Sequence, residues 1–391
     1  MSSRSSETVP FWAAASLVRE SNGPQGRVIS MDGMESWTGK LTGAESDSTA
    51  SGTPFQRGDV LFGKLRPYLA KSWLADESGT AQGDIHVYRP HASTHPKYLA
   101  YIIRSREFVH FANAASEGVK MPRVEWTKLR SYDIPLPDLP TQRRIADYLD
   151  RETAQIDAMA ETLDGLVARL KERRSETVRD AFISATKMSK LAKIQYVATV
   201  LVGIVITPAK YYVERGNGIP AVRGLNLTPT GIDADNLIEI SPEGHQVNSR
   251  STLRAGDIAT VRTGKVGLSA VVQDELSGAN AIDIVISKPH NSIHPDYLCS
   301  FLNSPIAREY MNLEKVGSVQ SHLNVDAMKK LPIPLPPLEE QRRIADHLDA
   351  ETVKINAMIA KAGELRALLD ERRSALITAT VTGQHPVPEE H

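Results

Sequence analysis

Apolar residues recur in alternating steps of three and four along two long segments of the chain. The members of the first row are Ile145, Leu149, Ile156, Met159, Leu163, Leu166 and Leu170. The members of the second row are Ile344, Leu348, Ile355, Met358, Ala362, Leu365, Leu369 and Leu376. Charged residues interrupt the rows at Glu152, at the matching Glu351 and at Arg372. This spacing predicts coiled-coil helices, and about 40 residues at about 1.5 Å each would make them about 60 Å long.

A proline-rich lead-in and a shared motif precede each row. Residues 134–150 read IPLPDLPTQRRIADYLD, and residues 333–349 read IPLPPLEEQRRIADHLD, at a spacing of 199. The prolines favour an extended backbone, after which Thr141 can cap one helix while Glu339 and Glu340 suit the first turn of the other. A period this long exceeds any solenoid unit, so we interpret it as the duplication of a whole domain with its helix.

The segments before the two motifs also match in their turn and strand signals. Short apolar runs bounded by glycine and aspartate, followed by a helix that starts at a His-Pro pair, predict a mixed α/β domain in each copy. The segment Gly218–Asn226 has no clear match in the first copy, where residues 27–41 form a diverged candidate.

We therefore predict an α+β protein with two duplicated α/β domains and two long helices. The predicted boundaries are 1–133 and 188–332 for the domains, 134–187 for the first helix, and 333–391 for the second helix and tail. If the helices pack on each other about a pseudo-twofold axis, they are antiparallel and separate the domains. A coiled coil between two chains is the competing geometry, and the apolar seam does not decide between them.

Composition narrows the class of protein. The 391 residues are 41% hydrophobic and 24% charged, which is typical of soluble globular chains. No apolar run approaches the roughly 20 residues of a membrane span, and the first residues lack the apolar core of a signal peptide, so we expect a cytoplasmic protein. The single cysteine, Cys299, lies in a helical pattern and is expected to be a buried, inert thiol. The net charge of −1 is unusual for a chain that binds nucleic acid without help.

Motifs that carry catalysis are missing from the sequence. Thr263–Gly267 contains a Gly-Lys pair without the glycine spacing of a P-loop, and neither an HExxH zinc motif nor a GxSxG nucleophile elbow occurs. The Asn-Pro-Pro-aromatic motif of adenine methyltransferases is also absent. We predict a non-catalytic chain with no metal site.

The doubled IPLPxLxxQRRIADxLDxET motif, each copy followed by a long helix, resembles the specificity subunit of type I restriction–modification systems. The segment Phe55–Tyr68 is similar to the target-recognition domains of that family. The resemblance implies that each globular domain reads one half of a bipartite, asymmetric site in double-stranded DNA, and that the helices set the distance between the halves.

The same resemblance implies the partners and cofactors. Two methyltransferase subunits would dock on the chain and carry S-adenosylmethionine and the catalytic motif, while this chain binds no cofactor itself. A restriction subunit that uses ATP and Mg²⁺ is a further possible partner. The partners would supply much of the positive charge that this chain lacks.

Candidate contact residues follow from side-chain chemistry in the matching loops. Arginine, asparagine and glutamine can contact base edges in pairs of hydrogen bonds, whereas lysine mostly meets phosphate. The candidates in the first domain are Lys64, Arg66, Tyr68, Lys71, Lys120 and Arg123. Those in the second domain are Arg223, Asn226, Arg262, Lys265, Gln320, Ser321, His322 and Asn324. For each residue the alternative is a solvated surface side chain.

The helix motif provides a second set of candidates. Methyltransferase docking competes there with helix capping and surface pairing, at Gln142, Arg143, Arg144, Gln341, Arg342 and Arg343. A coiled-coil adaptor that joins two protein-binding domains is the alternative function for the chain. It gives no reason for basic loops at matching places in both copies. A nuclease would need a clustered acidic metal site, which the sequence does not offer.

Overall fold

The computed structural model describes residues 8–21, 26–43, 51–313, 323 and 325–388. The chain forms two compact units. The first combines Met1–Gly165 with Gly363–His391, and the second is Leu166–Ala362. Each unit therefore contains one globular domain together with parts of both long helices.

In the first copy, short strands and helices precede one long helix. The elements are β1 (Thr8–Pro10), α1 (Phe11–Ala14), β2 (Ala15–Leu17), β3 (Arg27–Ile29), β4 (Thr53–Phe55), β5 (Val60–Gly63), β6 (Ser72–Leu74), β7 (Gly79–Ala81), β8 (Ile85–Pro90), α2 (Pro96–Ile102), α3 (Arg106–Ala114), α4 (Trp126–Leu129), β9 (Asp133–Pro135) and α5 (Leu139–Met188).

The second copy repeats this order with extra strands. The elements are β10 (Leu191–Lys193), α6 (Ile194–Val197), β11 (Ala198–Val202), β12 (Tyr212–Val213), β13 (Ile219–Arg223), β14 (Leu227–Thr228), β15 (Gly231–Ile232), β16 (Ile238–Ile240), α7 (Pro242–Val247), β17 (Ile258–Val261), β18 (Ser269–Val271), β19 (Asn280–Ile282), β20 (Ile284–Pro289), α8 (Pro295–Leu302), α9 (Pro305–Leu313), α10 (Val325–Lys330), β21 (Pro332–Pro334) and α11 (Leu338–Val381).

Equivalent sheets form in the two globular domains. The order β2-β8-β5-β6 in the first corresponds to β11-β20-β17-β18 in the second, and all neighbours are antiparallel. A second sheet has the order β3-β7-β4 in the first domain and β12-β16-β13-β19 in the second. Strand β3 pairs in parallel with β7, which precedes β8, and β13 pairs in parallel with β19, which precedes the equivalent strand β20. This shared pairing supports the diverged match between residues 27–41 and Gly218–Asn226.

The proline-rich lead-ins are extended, as predicted. β9 pairs with β1, and β21 pairs with β10, so each lead-in is closed into a two-stranded antiparallel sheet. Helix α5 then begins at Leu139, and the Asp138 carboxylate accepts the backbone N–H of Thr141 at 3.0 Å. The prediction that Thr141 caps this helix is therefore wrong, because the earlier aspartate accepts that N–H group. Glu339 and Glu340 do lie in the first turn of α11.

In the first unit the two long helices run in opposite directions. Arg373 of α11 lies 3.5 Å from the Asp157 carboxylate of α5, and Arg366 lies 3.4 Å from Asp164. Partner positions thus rise along one helix as they fall along the other. Ile377 of α11 also joins the aromatic core of the globular domain. This core packs the end of one helix and the start of the other against a single domain.

The second unit has the same internal arrangement with its own residues. Arg174 of α5 donates to the Asn356 side chain at 2.6 Å, and Phe182 shares a core with Leu348 of α11. The ring of Phe182 packs against Tyr297 and Phe301 of the domain at centroid distances of 5.2 and 5.1 Å. Antiparallel packing of the helices within one chain is therefore the geometry of both units.

The buried seam of each helix differs in part from the predicted row. Met159 and Met358 are both 52% exposed, and Leu166 and Leu365 are both 44% exposed, whereas Ala160 is buried. Thr153 is buried as well, and its hydroxyl lies 3.3 Å from the hydroxyl of Tyr101 in the globular domain. The predicted rows therefore include side chains that face solvent, while a small residue beside one of them is buried instead. In the described part of the chain, no helix is long and apolar enough to cross a membrane.

Candidate nucleic-acid interface

The first candidate loop leaves the central strand β5 and is shaped by its backbone. Lys64 donates its N–H to the Asp84 carbonyl at 2.9 Å, and a 3-10 turn at Pro67–Leu69 follows. Arg66 and Ala70 flank this turn with φ of 51° and 46°, in the left-handed region that non-glycine residues rarely adopt. The turn leaves the side chains of Arg66 and Tyr68 exposed.

A hairpin at residues 117–123 completes the same surface. Glu117 and Arg123 exchange backbone hydrogen bonds of 2.8 and 2.9 Å, and Gly118 at φ 103° allows the turn between them. The hairpin is bound to the first loop, because Arg66 donates its N–H to the Pro122 carbonyl at 2.7 Å. The structure thus brings together four of the predicted residues, namely Lys64, Arg66, Lys120 and Arg123. We name the surface that they form with Tyr68 the first candidate surface.

Two of the predicted residues, Lys71 and Arg123, bind other groups of the same domain through their side chains. Lys71 is largely buried and donates to the Met31 carbonyl at 2.7 Å, so it anchors a neighbouring loop. Arg123 binds Asp84 through Nε and Nη2, at 3.2 and 3.1 Å from the same carboxylate oxygen. Beneath the surface, burial and then the charge of Lys64 lower the pKa of His86 to about 3, so this histidine is neutral at physiological pH.

The second domain places its candidates on an equivalent backbone frame. Lys64 follows β5, and Arg262 follows the corresponding strand β17. The Lys64 carbonyl accepts the N–H of Val124 at 3.0 Å, and the Arg262 carbonyl accepts the N–H of Leu323 at 2.9 Å. The frame is therefore shared while the side chain it presents differs between the domains.

Side chains in the second domain are held in their own way. The Arg262 Nη1 donates to Asp283 at 2.8 Å, and Lys265 is exposed in the turn that continues to Gly267. Arg223 ends strand β13 and is half-buried. Its backbone N–H donates to the Asn226 side chain at 2.9 Å, and Asn226 is completely buried. The structure therefore gives Asn226 a structural role and leaves its amide no surface for a base. The other four predicted residues of this domain lie outside the described residues, namely Gln320, Ser321, His322 and Asn324.

The amino-acid sequence of this chain matches the model of a known protein family. The model for the type I restriction modification DNA specificity domain matches residues 27–167 and 234–361. Together these ranges cover more than half of the 391 residues. The chain belongs to this family. The earlier resemblance, drawn from the doubled motif and the long helices, is thus confirmed.

Several curated relatives are similar to this chain. It is 25% identical over 305 residues to the EcoBI specificity subunit of Escherichia coli, a match that covers 70% of this chain and 64% of that subunit. It is 23% identical to the StySPI specificity subunit of Salmonella potsdam, covering 76% of this chain and 69% of that subunit. The match to the EcoDI specificity subunit of Escherichia coli is 26% identical over 38% of this chain and spans only 34% of that subunit.

Solved structures share the fold. One chain, from a structure on complex assembly and conformational transition of the type I R-M system, matches with a TM-score of 0.70 at 19% identity. The match covers 97% of this chain and 98% of that chain. The HsdS subunit from Thermoanaerobacter tengcongensis matches with a TM-score of 0.50 at 19% identity over 98% of both chains. At this identity, the likeness establishes the two-domain α+β fold with its two long helices.

The glutamine of the family's doubled helix motif has a structural place in both units. Gln142 is fully buried, accepts the His95 N–H at 2.7 Å, and donates to the Ser93 and Pro137 carbonyls at 2.9 and 2.7 Å. Gln341 repeats these three bonds in the second unit, with distances of 2.8, 3.1 and 2.8 Å. We call this arrangement the glutamine latch. Of the two interpretations of these glutamines, it favours the structural one over docking.

The neighbouring arginines are placed differently from the glutamines. Arg143, Arg144, Arg342 and Arg343 are all exposed on the first turns of the two long helices. Arg343 is held by Glu340 through bonds of 2.8 and 2.5 Å, whereas Thr141 stands at the equivalent position before Arg144. These four side chains are accessible to a partner.

Sequence reasoning missed two aspartates that contact the candidate arginines. Asp84 binds Arg123 and Asp283 binds Arg262, and each aspartate directly precedes an equivalent strand, β8 or β20. A signal was present, because the two aspartates are spaced by the repeat period of 199. An aspartate repels phosphate, so its residue type alone did not mark it as part of a DNA-contacting surface. Among the described residues, no group of three or more histidine, cysteine or acidic side chains could hold a metal ion.

Proposed function

We propose that this chain is the DNA specificity subunit of a type I restriction–modification complex and that each globular domain reads one half of a bipartite site. The observation that carries the proposal is the shared backbone frame with different side chains, Lys64 in one domain and Arg262 in the other. Two readers of one design with different chemistry suit two half-sites of different sequence. Arginine pairs well with guanine in the major groove, and lysine mostly meets phosphate.

The long antiparallel helices would keep the two readers at a fixed spacing. Helix α5 has 50 residues, so it is about 75 Å long at about 1.5 Å per residue. Separate readers need a constant distance along the duplex, commonly about 34 Å or a multiple of it, and packed helices resist bending better than a flexible linker. The glutamine latch supports this role because it ties each domain to the start of its own helix.

Catalysis would come from partners. We propose that two adenine-N6 methyltransferase subunits dock on the exposed arginines Arg143, Arg144, Arg342 and Arg343 and supply S-adenosylmethionine. A restriction subunit would bring ATP and Mg²⁺, and the complex would act in the cytoplasm. Partners that also contact the duplex would compensate for the net charge of −1 on this chain.

The experiment that tests this function is base-resolution sequencing of DNA methylation. Cells that express the partner methyltransferase are compared with and without this gene. A bipartite N6-methyladenine motif that appears only with the gene is the expected result, and it would reveal both half-sites. If the methyltransferase is active and no new motif appears, the specificity function is wrong and the coiled-coil adaptor becomes the better interpretation.

A domain exchange tests the division of labour. Residues 1–133 are replaced with the first domain of another specificity subunit, while the helices and the second domain are kept. We expect only one half of the methylated motif to change. A change in both halves would contradict independent reading by the two domains.

The docking surface has a separate test. Reversing the charge of Arg143 and Arg144 to glutamate should reduce co-purification of the methyltransferase, while the double reversal Arg169→Glu with Lys171→Glu, at exposed positions in the middle of the same helix, serves as a matched control. Equal recovery of methyltransferase with both variants would place the docking surface elsewhere.

A further inference from the structure

We infer that Asp84 and Asp283 are positioning residues that hold Arg123 and Arg262 in the orientation needed to read bases. The inference rests on the proposed DNA-reading function and adds the device that sets specificity. Both aspartates lie at the start of an equivalent strand, β8 in the first domain and β20 in the second. Each binds an arginine of the candidate surface.

The two arginines come from different loops, although the aspartates occupy the same place in the fold. Arg123 closes the hairpin at residues 117–123 and reaches Asp84 from there. Arg262 directly follows strand β17 and reaches Asp283 across the sheet. One position of the frame therefore serves as an anchor for whichever loop carries the reading arginine. A structural ion pair inherited with the domain would be expected to join the same two positions in both copies.

The geometry at Arg123 leaves its terminal nitrogens suited to a base. Nε and Nη2 both donate to one oxygen of Asp84, at 3.2 and 3.1 Å. A guanidinium has five N–H donors, so the Nη1 group and one hydrogen of Nη2 lie outside this bond. Those donors match the O6 and N7 acceptors of guanine in the major groove. The side chain is 45% exposed, so a duplex can reach it.

Arg262 is held by a shorter hydrogen bond than Arg123 and is less exposed. Its Nη1 donates to one oxygen of Asp283 at 2.8 Å, and Thr263 donates its hydroxyl to the other oxygen at 3.3 Å. Asp283 has φ of 49°, a left-handed conformation that strains the backbone of a non-glycine residue. Such strain persists where the surrounding structure holds it in place, and it directs this carboxylate toward Arg262. The arginine is 29% exposed and therefore more restrained than Arg123.

A carboxylate on a DNA-binding surface has a distinct electrostatic effect. It repels phosphate and offsets the charge of the arginine that it holds, so it weakens binding to DNA of any sequence. The same carboxylate restricts the guanidinium to one orientation, which strengthens the match to one base pair relative to others. An acid in this place lowers general affinity and raises discrimination, and those opposite effects distinguish a positioning role from simple support of the fold.

The test uses the full chain in complex with its methyltransferase, in which Asp84→Asn is compared with the unchanged protein. Binding is measured at several salt concentrations on three kinds of DNA. These are a duplex that contains the motif found by methylation sequencing, duplexes with single substitutions in each half-site, and unrelated DNA. We expect binding to unrelated DNA to rise about two- to fivefold and discrimination in one half-site to fall about tenfold, since a well-placed arginine distinguishes bases by about that factor or more. Asp283→Asn should have the same effect in the other half-site.

Two further variants make the result specific. Glu77→Gln breaks the exposed Arg27–Glu77 pair of 3.0 Å and removes the same charge from the same domain, so it controls for a general electrostatic change. Asp84→Asn is also made in an Arg123→Ala background, where it should not reduce discrimination any further. An additional loss in that background would show that Asp84 acts through something other than Arg123 and would overturn the inference.

The outcomes separate this inference from the proposed function. If the unchanged complex binds all duplexes equally, the specificity function and the positioning role both fail. If it discriminates, but Asp84→Asn and Asp283→Asn behave as Glu77→Gln does, only the positioning role fails. If either variant folds poorly, the positioning role is tested with Arg123→Lys instead, because lysine keeps the positive charge but lacks the planar pair of N–H groups that bind a base edge. Unchanged discrimination in Arg123→Lys would overturn the inference.

Discussion

The glutamine latch allows a quantitative test of how the domains are fixed to the helices. In Gln142→Met a side chain of similar size replaces the amide and removes all three of its hydrogen bonds. The His95 N–H and the carbonyls of Ser93 and Pro137 then lose a partner. Each polar group left unsatisfied in a buried place costs about 1–3 kcal/mol. Since Ser93 is exposed and the other two residues are half-buried, water can recover part of this, and we expect a loss of about 3 kcal/mol in unfolding free energy.

The free energy of unfolding is measured by urea titration of the full chain. Hydrogen exchange of the folded protein, read by mass spectrometry, then locates the destabilised segment. Exchange should accelerate at residues 93–95 and at the start of helix α5. Gln341→Met should produce the equivalent change in the second unit. Gln155→Met is the matched control, because Gln155 is exposed on the same helix and its loss should alter stability by about 0.5 kcal/mol or less. If Gln142→Met proves as stable as Gln155→Met, the latch does not hold the domain to the helix.

Three shorter predictions follow from single residues. His86 is neutral in the fold because its pKa is lowered to about 3, whereas a histidine in the unfolded chain gains a proton as pH falls below about 6.5. The free energy of unfolding should therefore decline by a few kcal/mol toward pH 4, and it should decline less in His86→Gln. Gly118→Ala should weaken binding to one half-site severalfold in a duplex titration, since φ is 103° and the new methyl would lie 3.2 Å from the Met121 carbonyl. Cys299, whose pKa burial raises to about 12, should react slowly with iodoacetamide at pH 8 and rapidly in urea; fast labelling of the folded chain would contradict its inert character.

Much of the fold follows from patterns that are local in the chain. The prolines of each lead-in exclude helix by themselves, and β9 and β21 are extended as predicted. The apolar spacing likewise predicts both long helices, since every third or fourth residue of a helix faces the same side. The repeat of the motif at 199 residues predicts that two domains share one plan, and their sheets have equivalent strand orders.

The exact seam was beyond the reach of that pattern. Met159 and Ala160 are neighbours, and either can continue an apolar row, yet only Ala160 is buried. The choice depends on which face of the helix is covered by its neighbours, and at nearby Asp157 these include both Lys40 of the domain and Arg373 of α11. Which face is covered is decided by the packing of distant segments, so the sequence of one helix does not contain it.

The sequence by itself determined the duplication, the helices, the family and the loops that carry the candidate side chains. Only the tertiary structure decided which of those side chains face outward. Asn226 is buried and Lys71 serves a neighbouring loop, while Arg123 meets Asp84, a residue 39 positions away. The physical reason is the range of the interactions. Helix periodicity and proline geometry act between near neighbours in the chain, whereas burial and ion pairing depend on segments that meet only when the whole domain has folded.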